Sequence, residues 1–172
     1  MNRETTGHEG PAARIIGATP EALAAFAGPL PCRVIMGEEG PYLTRYTIAE
    51  LANGGHLYLH RFHRGDHDRE LHSHPWSGRS IILAGGYREE RRIPNPCGDG
   101  WAVAVRDYVP GDVSTLDPDT YHRVDLLDPA AGCWTLFETT ARVQSWGFWC
   151  RDTGRVTPWR EMFARRGLGG ES

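Results

Sequence analysis

From Cys32 onward the chain is a succession of short runs of β-branched, aromatic and leucine residues, cut at close intervals by Gly, Pro, Asp and Asn. Such residues fit a pleated, half-buried surface, and the breaks supply the turns. Strands are expected at residues 33–36, 42–48, 56–63, 79–83, 87–93, 102–109, 113–116, 121–127, 133–140 and 145–150. About ten strands with turn signals every 8–12 residues or so describe an antiparallel sandwich or barrel, not alternating βα units. Short helices flank them. Thr19 can cap the first, Pro20 and Glu21 suit its opening turn, and Gly28-Pro29 stops it. The second begins at Pro158 and runs through Phe163 at helical spacing. The expected organisation is an N-terminal tail and helix over 1–30, one β-barrel domain over 31–157, and a closing helix and tail over 158–172.

Composition removes several chemistries. All 19 basic residues are arginine. Without lysine there is no Schiff-base nucleophile, pyridoxal-phosphate anchor or Walker-type phosphate-binding lysine. The formal charge is −3, with arginines interleaved among acids as in Arg88-Glu89-Glu90-Arg91-Arg92, a run read as a solvated strand or turn. No basic face is offered to nucleic acid. Cys32, Cys97, Cys133 and Cys150 form no CxxC pair, and no signal segment opens the chain, so free thiols in a cytoplasmic protein are expected. The apolar stretch at 22–26 is too short to span a membrane. No histidine is followed two residues later by Asp or Glu, and HExxH, GxSxG and GxGxxG are absent. Metalloprotease, hydrolase and dinucleotide-dehydrogenase readings fall with them.

Six of the eight histidines lie at 56, 60, 63, 67, 72 and 74. In extended chain, residues two apart point to the same side, so His72 and His74 can converge on one ion. His122 is the only histidine beyond them and can complete a three-imidazole set from another strand. The remaining coordination positions would be open to water, substrate or dioxygen. His60, His63 and His67 are read as hydrogen-bonding strand or loop residues, one of them a candidate proton carrier behind the ligands.

With these residues in place the sequence resembles the cupin superfamily, whose small jelly-roll barrel carries a metal at its mouth. Gly65, His72, His74 and Gly86 fall at or near the positions of the first cupin motif, and Arg79 stands where that motif's longer version places a glutamate. Gly111, Pro118 and His122 match the second motif, with a shortened turn and Thr120 in place of a glycine. The resemblance covers about residues 57–140, and the strings HSHPW, GGY, YHRV and WGF are similar to small bacterial and phage cupins. It implies an all-β, antiparallel jelly roll with a divalent transition metal at His72, His74 and His122, similar in ligand count to the three-histidine thiol dioxygenases.

Three neutral imidazoles leave the charge of a divalent ion uncompensated, which favours an anionic small-molecule substrate. Arg61, on one strand face with Leu57 and Leu59, and Arg79 are the candidate clamps; Tyr87, Tyr108 and Tyr121 are candidate donors to substrate. The expected function is an Fe(II) oxygenase. A Zn-, Ni- or Mn-dependent lyase or isomerase and a non-catalytic ligand-binding barrel stay open beside it. Exposed sheet edges and the tryptophan content are compatible with a homodimer.

Overall fold

The computed structural model describes residues 17–37, 39–66 and 70–166; the N-terminal tail at 1–16, His67 and the Gly-rich end lie outside the described residues. Two six-stranded antiparallel sheets stack face to face. The first takes the order β1 (Cys32–Gly37), β2 (Gly40–Glu50), β3 (His56–Phe62), β10 (Cys133–Thr139), β5 (Gly78–Gly85) and β8 (Val113–Leu116). The second runs β12 (Val156–Pro158), β11 (Gly147–Trp149), β4 (Leu71–His72), β9 (His122–Leu126), β6 (Tyr87–Pro94) and β7 (Trp101–Tyr108). The expected all-β jelly roll is present. Two short strands, β4 and β12, lack the length and alternation that would mark them in sequence.

The sandwich interior is filled from both sheets. Phe62, Ile82 and Cys133 of the first meet Tyr87, Tyr108, Val124 and Leu126 of the second. The first sheet is covered on its other side as well. Helix α1 (Pro20–Ala27), capped by Thr19 Oγ1 accepting from Ala22 N at 3.3 Å, lays Leu23 and Ala27 over Leu59, Leu83, Ala84 and Trp134. Leu59 and Leu83 therefore point outward, under a helix, while His60 and Ile82 beside them point between the sheets. Helix α2 (Trp159–Arg165) closes the end of the second sheet, Trp159 and Phe163 packing on Trp146 and Phe148.

The run Arg88–Arg92 differs from its expected solvated state. It lies in β6, hydrogen-bonded on both sides to β7 and β9, so alternate residues enter the interior. Arg88 is exposed and pairs with Asp107 at 2.7 Å, whereas Glu89 is only 2% exposed. Among the described residues no helix is long and apolar enough to cross a membrane.

Candidate metal centre

β4 is short, yet it is clamped on both edges. His72 lies opposite His122 of β9 on one side and Phe148 of β11 on the other. His74, two residues along, keeps the same side, so three imidazoles come together with ligand atoms all within 4.8 Å of one another. His74 Nε2 stands 2.9 Å from His122 Nε2. Two nitrogens bound at about 2.1 Å to one ion and at right angles to each other would be ~3.0 Å apart, so this spacing suits a shared metal.

The groups behind the imidazoles fix which nitrogen faces inward. Glu89 Oε1 lies 2.6 Å from His122 Nδ1, which therefore donates to the carboxylate and leaves Nε2 as the free donor atom. Arg91 reaches both Glu89 oxygens at 3.0 and 3.1 Å and continues to Ser114 Oγ at 3.1 Å. A buried polar chain therefore leads from His122 through Glu89 and Arg91 to Ser114, which is 1% exposed. Burial alone would raise the Glu89 carboxyl, but the His122 and Arg91 partners outweigh it and hold it below the usual range.

Asp66 has a similar position behind His72, its Oδ2 4.0 Å from Nδ1. It is held by Tyr42 Oη at 2.7 Å and by Val124 N at 2.6 Å. Gly65 permits this approach, since a Cβ there would meet Asp125 Oδ1 at 2.4 Å. His74 stacks on Trp76, ring centroids 4.3 Å apart. Burial, then the neighbouring His72 and His122, then Arg45 and His60, push His74 well below its ordinary value; it stays neutral, the form a metal requires.

The other residues expected from the sequence to line a site stand apart from this cluster. Arg61 is exposed on the helix-covered side of β3, its guanidinium 5.5 Å from the Trp134 ring centroid. Arg79 is exposed opposite Thr115 and Glu138, while its neighbour Ser80 is buried. Tyr121 is half-buried, 4.1 Å from the Arg92 guanidinium, which also sits 4.0 Å over Trp101. Tyr87 and Tyr108 are buried core residues with ring centroids 5.4 Å apart. His63 Nε2 is 2.8 Å from Thr44 Oγ1, and His60 is buried on the interior side of β3.

Sequence patterning alone does not single out Glu89, Asp66 or Arg45. For the first, the two-residue alternation Tyr87, Glu89, Arg91 is a usable signal. Arg45 projects from β2 to the same side as His60, donating from Nε to His60 Nε2 at 3.3 Å.

No protein-family model matches the chain, and no curated protein matches it in sequence. Solved structures do resemble it in fold. A Streptomyces albus protein, HEPD with 2-hydroxyethylphosphonate and Fe(II) bound, aligns with a TM-score of 0.50 and 12% identity over 84% of this chain and 28% of its own. Fe(II)-HppE with an alternative substrate aligns at 0.49 and 8% identity, over 66% of this chain and 57% of that one. An RmlC-like cupin from Shewanella frigidimarina aligns at 0.47 and 18% identity, over 67% and 87%. The chain thus spans less than two thirds of the length of the first two. The likeness is one of fold: the chain is a jelly-roll sandwich like these structures, with three histidines gathered between its sheets.

Proposed function

We propose that this chain is a metal-dependent enzyme acting on a small anionic molecule, with His72, His74 and His122 holding one divalent transition metal, Fe(II) by preference, and oxygenation as its reaction. The observation that carries the reading is the convergence of three inward-facing imidazoles with two carboxylates of the described residues, Glu89 and Asp66, placed behind them. Glu89 is engaged by His122 and Arg91, and Asp66 by Tyr42 and the backbone of Val124. The donor set is therefore neutral, and an anionic substrate balances the ion's charge. A bound Fe(II) ion supplies Lewis acidity and one-electron chemistry toward dioxygen. The protein's own part is positional: Glu89 keeps the His122 proton on Nδ1, and Trp76 fixes the plane of the His74 ring.

Metal analysis of protein purified without chelators or a metal-affinity tag tests this. Stoichiometric iron, and oxygen uptake stimulated by members of a panel of small organic acids, is the expected result. Zinc or nickel without oxygen uptake would favour a lyase or isomerase. No metal above trace would remove the metal-enzyme reading altogether, and unchanged metal content in His122→Ala would remove this ligand set.

A further inference from the structure

The interior face of the first sheet carries a second polar group that the three histidines do not use. In the register of β1, β2 and β3, Arg33 lies directly opposite Arg45, and Arg45 directly opposite His60. Directly opposed like charges on a sheet repel, and although Arg33 is exposed to water, Arg45 is half-buried, so an anion beside the pair would be stabilising. Among the described residues neither guanidinium has a carboxylate partner. Arg45 instead donates from Nε to His60 Nε2 at 3.3 Å and lies 4.9 Å over the Tyr58 ring. It is half-buried, and burial and the opposing Arg33 both act against its charge. The guanidinium remains protonated even so.

A continuous aromatic path joins this cation pair to the metal centre. His60 stacks on Phe137 at 4.9 Å, Phe137 meets Trp76 edge-on at 5.3 Å, and Trp76 stacks on His74 at 4.3 Å. We propose that Arg45, aided by Arg33, is the clamp for the anionic head of the ligand, a carboxylate or a phosphonate, whose apolar body runs beside Phe137 and Trp76 with its reacting end at the three histidines. This rests on the metal-centre reading for the reacting end, and it names the substrate class: an organic anion with an apolar or aromatic body separating its charge from the metal. A compact inorganic oxyanion could satisfy one end only. Arg61 and Arg79 take no part, since their register, opposite Thr44 and Glu138, puts both on the outer side of the first sheet.

The test is calorimetric titration of the full chain, with and without added Zn(II), using phenylacetate, phenylphosphonate and the neutral phenylacetamide. At least one anion should bind about tenfold or more tightly than the amide. Arg45→Gln should lose about tenfold of that affinity while retaining full metal uptake, and Arg61→Gln and Arg79→Gln should match the parent. The preferred anion separates a carboxylate-shaped from a phosphonate-shaped site. If Arg45→Gln does not fold, Arg33→Gln on the exposed edge strand gives the same readout, with an expected loss of roughly threefold. Equal affinity for phenylacetamide, no binding of either anion, or unchanged anion affinity in the folded variants would overturn the clamp. Anion binding by a protein that takes up no metal would instead sustain the clamp and defeat the metal-centre reading.

Discussion

Replacing Glu89 by Gln should weaken the metal centre without removing a ligand. The carboxylate is 2% exposed, accepts from His122 Nδ1 at 2.6 Å, and is engaged by Arg91 at 3.0 Å. The substituted amide retains the shape and one oxygen, but loses the charge that makes the His122 imidazole a better donor. Removing the carboxylate behind a ligating histidine typically lowers metal affinity by about 10–100-fold, or roughly 1.4–2.8 kcal/mol. The substitution also leaves the half-buried Arg91 without its counter-charge. Arg91 retains Ser114 at 3.1 Å and is 26% exposed, so the added cost to folding should stay near 1–3 kcal/mol, short of that for a fully stranded ion. Affinity is read by competing Zn(II) or Co(II) between the protein and a chromophoric chelator at pH 7.5, with His122→Ala as the control that deletes a ligand outright. A thermal melt of each variant separates weakened binding from unfolding. Unchanged affinity in a folded Glu89→Gln protein would show that the carboxylate does not tune His122.

Other outcomes follow from neighbouring features. His60 is buried and lies well below its ordinary value of 6.5, first through burial and then through Arg45, so the unfolded chain takes up a proton before the folded one. Stability should therefore be highest above about pH 6.5 and fall as pH drops below it; a His60→Asn protein should show a shallower fall in Tm between pH 7 and 5, and an equal slope would refute the assignment. Thr135 is fully buried with its Oγ1 unpartnered among the described residues, so Thr135→Val should be neutral or stabilising by up to about 1 kcal/mol in denaturant titrations, and a clear loss would refute that reading. Gly65→Ala would drive a Cβ to 2.8 Å from Asp125 Cα and push Asp66 from its place behind His72. A loss of about 1–3 kcal/mol with weakened metal uptake is expected, and retention of both would argue against a role for the Asp66 support.

The three imidazoles are legible in sequence because period two is a local property: His72 and His74 share a side in any extended chain. Their carboxylate support is not, because Glu89 reaches His122 only through the β6–β9 register, which no local pattern encodes. The arginines show a different obstacle. Arg61 does share a face with Leu57 and Leu59, as its parity requires, and apolar neighbours ordinarily mark the interior of a sandwich. Here α1 covers the outer side of the same sheet, so Leu59 is buried beneath the helix while Phe62 packs on the interior side, and β3 has apolar contacts on both faces. Apolar company therefore could not say which face looks toward the histidines. Arg45 shows the converse, since its neighbour Tyr46 faces Trp134 on the outer side and leaves the guanidinium pointing inward, where it meets His60. A one-residue difference in parity between β2 and β3, set by pairing Arg45 with His60 and Thr44 with Arg61, decides which arginine can meet a ligand. The same register sets the charge of Arg33 against that of Arg45, and that opposition is the reason an anion is proposed as the partner of Arg45.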